Sequence, residues 1–342
     1  MKVCVYVELE SKVSKSGIGV SAHQQREALR KNGVEVTTDP NEGYDIIDIN
    51  TIGPKSVYHL KRAQLSGKPA VIHAHTTAED FRQSFKGSNL AAPIIKEYVR
   101  ILYNRASGVV VPSDYTKGLL ENYGIKPSIY TVSNGVEFEN IEGYEDFREK
   151  YREKYDLDGT VVFAVGHVFE RKGLSTFCKL AQEFPEYDFV WFGPIMDNPL
   201  GSSKVKKWIK NPPDNVQFTG FIDDIRGAFG AGDIFLFPTK EENQGIAVLE
   251  AMACEKAVLV SDLPVFDEYM IDGENALKAS SFQGYVEALE KLDDPGLRNE
   301  LGNNARKEAE KHSLENIGEE LIDVYKEIQR NSSMFGFGLI GQ

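Results

Sequence analysis

Two carboxylates, Glu242 and Glu250, lie eight residues apart in the segment Glu241-Glu242-Asn243-Gln244-Gly245-Ile246-Ala247-Val248-Leu249-Glu250-Ala251-Met252-Ala253. A carboxylate kept on an otherwise apolar helix needs a polar partner, and the hydroxyls of a ribose would serve Glu250. The loop 243–245 offers backbone N–H groups at the start of that helix, where an anion or a sugar can approach. Arg171 and Lys172, in Glu170-Arg171-Lys172-Gly173, precede a helix beginning near Leu174. Two cations there can neutralise a diphosphate leaving group. A pair of solvated charges is the plain alternative. His73-Ala74-His75 ends a strand-like run, and the two-residue period puts both imidazoles on one face of a sheet at its functional edge. One of them can polarise or hydrogen-bond a substrate; satisfied structural histidines are the alternative.

A glycine-bearing segment, Ser16-Gly17-Ile18-Gly19-Val20-Ser21, joins the first strand to the first helix. Read as Gly17-x-Gly19-x-x-Ala22 it imitates a dinucleotide fingerprint, but nine residues, 8–16, separate it from the strand that such a fingerprint should follow at once. No metal centre is suggested. The other histidines, His23, His59, His167 and His312, show no ligand spacing, and the single Asp-x-Asp, Asp156-Leu157-Asp158, reads as a solvated turn after a charged helix.

The elements that must hold these residues alternate. Short β-branched runs at 3–7, 34–37, 46–49, 70–73 and 108–112 are interleaved with helical patterns, including 20–31 ended by Gly33. Such alternation predicts right-handed βαβ units around a parallel sheet. A charged helical stretch, 144–155, follows Asn134-Gly135, and the pattern restarts at 161–166. Strands at 189–192, 216–219, 234–238 and 257–261 follow, with helices at 245–254 and 282–292. Two successive open sheets predict a cleft at the carboxyl ends of their strands, where such sheets bind ligands. The last helix, 313–329, carries Leu314, Ile317, Leu321, Val324 and Ile328 at helical spacing and must pack on something. The apolar tail beyond it, 334–340, reads as a disordered end.

Bulk properties narrow the function. The 342 residues are 41% apolar and 27% charged, an ordinary folded composition sized for two domains. A net charge of -13 repels nucleic acid, which is not an expected partner. Residues 51–125 run against that balance, with ten basic side chains against five acidic ones. Within them, 81–105 sets Arg82, Lys86, Lys96, Arg100 and Arg105 among Phe81, Phe85, Ile94, Ile95, Tyr98, Ile101, Leu102 and Tyr103. That mixture suits docking on an anionic bilayer. Equally, Ile94, Ile95, Tyr98 and Leu102 can be the buried stripe of a core helix. Cys4, Cys178 and Cys254 form no Cys-x-x-Cys pair, and no leader or membrane-spanning run is evident, so a cytoplasmic protein is expected, with peripheral attachment to the inner face of the cell membrane an option.

The Glu-x7-Glu pair from Glu242 to Glu250, with Gly245 and the helix after it, resembles the signature of the retaining glycosyltransferases of family 4. Supporting matches are the 16–21 glycine segment, His75-Thr76, Asn134-Gly135-Val136, Arg171-Lys172-Gly173 and Gly220-Phe221. A narrower likeness is to the diacylglycerol glucosyltransferases, through Glu170-Arg171-Lys172-Gly173, Phe189-Val190-Trp191-Phe192-Gly193, Glu241-Glu242-Asn243 and the segment 73–84. The resemblance implies an α/β fold of the GT-B type, two Rossmann-like domains facing each other across a cleft. Residues 1–140 would bind the acceptor, 141–158 form a linker helix, and 159–312 bind the nucleotide sugar. Residues 313–330 would form a helix packing back on the first domain, and 331–342 a tail.

It also implies a metal-independent, retaining hexosyltransferase with no cofactor beyond its donor, UDP-glucose or a near relative. Lys172, Arg171, Glu242 and His75 would be catalytic. Gly17, Gly19, Gly166, Gly220, Phe221, Asn243, Gln244, Gly245, Ile246 and Glu250 would hold the donor, and Arg82, Lys86, Lys96 and Arg100 the acceptor or a membrane. The family commonly has Arg at the position of His167, so the phosphate contact passes here to Arg171. No nucleophile stands out on the far face, so a front-face mechanism is expected. The acceptor would be a membrane diacylglycerol lipid, or else a soluble or carrier-linked glycan. A nicotinamide-dependent dehydrogenase with Asp39 on its ribose is the rival from another class.

Overall fold

Two parallel sheets of six strands organise the chain in the computed structural model, which describes residues 1–82, 87–195 and 203–336. One unit comprises Met1–Ala78, Ala91–Gly135 and His312–Gln342; the other comprises Glu79–Leu90 and Val136–Lys311.

The first sheet has the order β2-β1-β3-β4-β5-β6. Its strands are β1 (Lys2–Tyr6), β2 (Glu35–Thr37), β3 (Ile46–Ile49), β4 (Ala70–His73), β5 (Gly108–Val111) and β6 (Ile129–Thr131). The apolar runs are continuous because both faces are covered. One face packs Cys4, Ile47, Ile49 and Ile72 against Leu60, Val99, Leu102 and Tyr103. The other packs Val3, Val5, Ile46, Val71 and Val110 against Ala28 and Leu29 from the helix Gly17–Lys31 and against the C-terminal helix, Leu314–Gly336.

That last helix is longer than the sequence pattern suggests and runs through part of the stretch read as a tail; residues 337–342 lie outside the described residues. Its buried stripe is Leu314, Ile317, Leu321, Tyr325 and Ile328, with Tyr325 fully buried and Val324 only partly. A Cβ on Gly318 would run into Ala28 and Asn32, so glycine there sets how closely this helix approaches its neighbour.

In the second unit the strands are β7 (Val161–Val165), β8 (Asp188–Phe192), β9 (Val216–Gly220), β10 (Ile234–Phe237), β11 (Ala257–Ser261) and β12 (Leu277–Ala279). Their order is β12-β11-β10-β7-β8-β9, the doubly wound arrangement, with β7 and β10 side by side where the winding reverses. The stretch read as a linker helix is part of this unit. Within the helix Arg148–Tyr155, Arg148 and Arg152 pair with Asp233 at 2.8 and 2.5 Å, and the same carboxylate accepts from the Val161 N–H at 2.8 Å.

Candidate active site

The reversal point of the second sheet gathers the chemistry. The segment 166–173 leaves β7, and the segment 238–245 leaves the adjacent β10, so Arg171, Lys172 and Glu242 meet although 70 residues separate Lys172 from Glu242. Lys172 Nζ is 2.5 Å from Glu242 Oε2 and lies 4.6 Å above the Phe237 ring. Arg171 is buried. Its Nη1 donates to the Glu241 carbonyl at 2.7 Å and pairs with Asp80 at 2.9 Å, while Glu242 Oε2 stands 3.9 Å away. Burial pushes the Glu242 carboxyl up, but Lys172 and Arg171 outweigh it and hold the group below its ordinary value. Glu242 is thus a carboxylate already matched by two cations, and Arg171 is shared further with Asp80.

Gly245, at φ 98°, caps the helix Ile246–Ala253 in the left-handed region that glycine adopts without strain. Asn243 and Gln244 are buried beside it, and Tyr269 Oη donates to the Gln244 carbonyl at 2.5 Å. Ile246 opens the helix and Glu250 sits in its second turn, half-buried. Gly166 and Gly220, at φ 127° and 71°, end β7 and β9 with no protein atom close to where a side chain would stand, and Phe221 is exposed beside them. His167 stacks on Phe169 at 5.4 Å; burial, and then Lys172, lower its pKa.

Burial, with Glu137 adding to it, pushes the Glu250 carboxyl up to about 7. The folded chain therefore holds a proton that the unfolded chain has already released at neutral pH, which costs stability as pH rises from the ordinary carboxylate range through about 7. Glu250→Gln is expected to raise the melting temperature at pH 8, with the gain shrinking toward pH 4.5, where the folded carboxyl is protonated and the unfolded one half so. A melting temperature that does not change at pH 8 would contradict this.

In the first unit, His75 follows β4 and its ring stacks on His73, centroids 4.9 Å apart. Burial, and His73 beside it, hold the His75 pKa well below its usual value, so this imidazole is neutral. His75 Nε2 is 2.8 Å from Asn50 Oδ1. The glycine segment differs from the expected loop. Ser16 caps the helix Gly17–Lys31, its side chain accepting from the Gly19 N–H, so Gly17 and Gly19 form the first turn of the helix itself. A Cβ on Gly19 would strike the backbone of Val13 and Ser14, so glycine there lets the helix start close against the chain that precedes it. The space beside Gly17 is open. Asp39, the ribose acid of the dehydrogenase reading, accepts from both the backbone and side-chain N–H groups of Asn41.

The helix Ser88–Tyr103 matches the buried-stripe reading only in part. Val99 and Leu102 are buried and Ile95 partly so, but Leu90, Ile94, Tyr98 and Ile101 are 86, 72, 38 and 48% exposed, an apolar stripe on the outer face. Its cations are engaged: Lys96 Nζ lies 4.7 Å above the Tyr123 ring, and Arg100 pairs with Glu97 at 2.8 Å. Arg82 is exposed, and Lys86 lies outside the described residues. Among the described residues no helix is long and apolar enough to cross a membrane, and no three His, Cys, Asp or Glu side chains gather as metal ligands.

The family pattern described as "Glycosyl transferases group 1" matches residues 147–308, and "Glycosyltransferase Family 4" matches 40–140. A processive diacylglycerol alpha-glucosyltransferase of Acholeplasma laidlawii is 32% identical over 334 residues, covering 96% of this chain and 98% of the relative. The chain belongs to glycosyltransferase family 4. This family 4 enzyme, a hexosyltransferase, is also 26% identical to an alpha-galactosylglucosyldiacylglycerol synthase of Streptococcus pneumoniae, over 93% of the chain and 88% of that protein. Among solved structures it resembles sucrose-phosphate synthase from Thermosynechococcus elongatus, with a TM-score of 0.79, 16% identity and coverage of 96 and 99%. Anabaena HepE in complex with UDP-glucose gives a TM-score of 0.75 at 17% identity, covering 96 and 100%. The glycosyltransferase fold inferred from the motifs is thus the fold observed, and the dehydrogenase reading is not favoured.

Proposed function

We propose that this family 4 glycosyltransferase transfers glucose from UDP-glucose to the hydroxyl of a diacylglycerol lipid, with retention at the anomeric carbon and with neither metal nor cofactor. The observation that carries the lipid acceptor is the exposed stripe Leu90, Ile94, Tyr98 and Ile101, joined to near full-length similarity to a processive diacylglycerol alpha-glucosyltransferase. A contiguous apolar surface on a helix that otherwise packs well is the mark of a surface that meets an apolar partner. The enzyme then works as a peripheral protein on a bilayer holding its acceptor.

In the second unit Lys172 and Arg171 carry positive charge to the departing diphosphate, a role that grows as the glycosidic bond breaks. Glu250 accepts from the ribose hydroxyls. Glu242 and the backbone of Asn243, Gln244 and Gly245 hold the sugar, Ile246 begins the helix whose N-terminus faces the donor, and Gly166, Gly220 and Phe221 leave room for the nucleotide. His75, neutral, serves a substrate hydroxyl by hydrogen bonding.

The test combines UDP-glucose with diacylglycerol, a glucosylated diacylglycerol and soluble sugars, with products read by mass spectrometry and anomeric configuration by NMR. An α-glucosyl lipid, formed equally well with a chelator present, is expected. Glucosylation of soluble sugars alone would overturn the lipid acceptor, and a β-linked product would overturn retention. In the same preparation at pH 8, where the Glu250 carboxyl is largely ionised, Glu250→Ala should weaken UDP binding by about 1.5–3 kcal/mol, the range for a charged hydrogen bond.

A further inference from the structure

Behind His75 the first unit buries a closed set of polar side chains with no arginine or lysine among the contacts that join them. Asp48 is fully buried on β3; Gln25 comes from the helix Gly17–Lys31, Asn50 from the end of β3, His73 from β4 and Tyr325 from the C-terminal helix. Tyr325 Oη donates to Asp48 Oδ2 at 2.6 Å. That oxygen is therefore an acceptor, so the Gln25 atom 2.8 Å from it is the amide nitrogen, which also donates to Tyr325 Oη at 2.8 Å and lies 3.2 Å from His73 Nδ1.

With its nitrogen so placed, Gln25 turns Oε1 toward Asn50 and accepts from Asn50 Nδ2 at 3.0 Å. Asn50 must then present Oδ1 to His75, and the His75 nitrogen 2.8 Å away, Nε2, has to carry the proton. Each donor and acceptor along this path follows from the one before it, starting at a tyrosine 250 residues away in sequence from His75.

We propose that Tyr325, Asp48, Gln25 and Asn50 are positioning residues that fix His75 as its Nε2–H tautomer, leaving Nδ1 as the nitrogen that accepts a hydrogen bond from a substrate hydroxyl. The inference rests on the proposed reading that His75 takes part in transfer. Two features reinforce it. A neutral ring has two tautomers of similar energy, so one strong acceptor on Nε2 selects between them. The stacked His73 ring and the buried surroundings keep the His75 plane from swinging.

The tautomer is observable directly in the full chain labelled with 15N-histidine. Two-bond proton–nitrogen correlation spectra distinguish Nε2–H, Nδ1–H and doubly protonated rings, and His75→Asn assigns the signals. The expected wild-type pattern is Nε2–H; an Nδ1–H or a doubly protonated pattern near neutral pH would overturn the proposal. Asn50→Leu and the milder Tyr325→Phe are expected to give mixed tautomers. In Asn50→Leu, kcat for glucose transfer should fall about tenfold, the effect of one hydrogen bond, with the KM for the nucleotide sugar changed less than about twofold. If Nε2–H persists in both variants, the chain of side chains does not select it and the proposal fails. A tautomer that responds while kcat does not would remove the link to transfer. A wild-type enzyme inactive toward every lipid acceptor would instead count against the proposed function, and the spectra would stand apart from that result.

Discussion

Replacing Lys172 by alanine is expected to lower kcat by about 10²- to 10³-fold, the size of losing one donor aimed at developing charge, while the KM for the nucleotide sugar moves far less. Lys172 is the cation with the lighter structural load. Arg171 is held by the Glu241 carbonyl and Asp80, whereas Lys172 is held chiefly by Glu242 at 2.5 Å. The alanine variant also strips Glu242 of its nearest cation, so the carboxyl that Lys172 and Arg171 hold low would rise. The double variant Lys172→Ala/Glu242→Gln, measured against Glu242→Gln alone, separates the two effects. If the loss comes from a stranded carboxylate, the double variant recovers to the rate of Glu242→Gln. If Lys172 stabilises the leaving group, the double variant stays slow. A defect confined to KM would make Lys172 a ground-state contact.

The second large effect concerns the bilayer. Changing Leu90, Ile94 and Ile101 together to serine is expected to abolish sedimentation with liposomes, because each fully buried large apolar side chain is worth about 1.5–3 kcal/mol. UDP affinity should be unchanged. Charge reversal at Arg82, Lys96 and Arg100 should do less, since Lys96 lies against Tyr123 and Arg100 is paired with Glu97. Binding should accordingly persist in salt that screens surface charge to within a few ångströms. A serine variant that sediments like the wild type would exclude the stripe as the docking surface.

The order of strands and helices was legible because sheets covered on both faces demand unbroken apolar runs, and those runs stand out between helical periods. The edge strands β6 and β12, Ile129-Tyr130-Thr131 and Leu277-Lys278-Ala279, were not read, since neither forms a run of β-branched residues like the one at 34–37. The spacing of Glu242 and Glu250, and the Arg171-Lys172 step, could be read because a charged group on an apolar background is visible in one dimension. Its partners could not. Nothing in the sequence tells that Asp80 reaches Arg171, or that Tyr325 displaces Val324 as the deeply buried member of its stripe, since both depend on contacts between distant segments. The close approach at Gly19 was hidden for a related reason: a missing Cβ looks the same whether it makes room for a ligand or for the chain's own Val13. Counting basic residues over 81–105 likewise could not show where those charges lie, since the seat of Lys96 over Tyr123 and the Arg100–Glu97 pair are set only once the helix is built.

The C-terminal helix lays Leu314, Ile317, Leu321 and Ile328 on a sheet whose strands end at residue 131. Synthesis runs the other way. The face formed by Val3, Val71 and Val110 leaves the ribosome well before the residues that cover it, and a second α/β unit is made in between. Throughout that interval the nascent chain carries an apolar sheet face and the Asp48 carboxylate without the Tyr325 hydroxyl, a state in which exposed surface invites association with other chains. The unit begun first is finished last, which makes the second unit the one able to fold early and gives this enzyme a long window of dependence on whatever shields nascent chains in its cell.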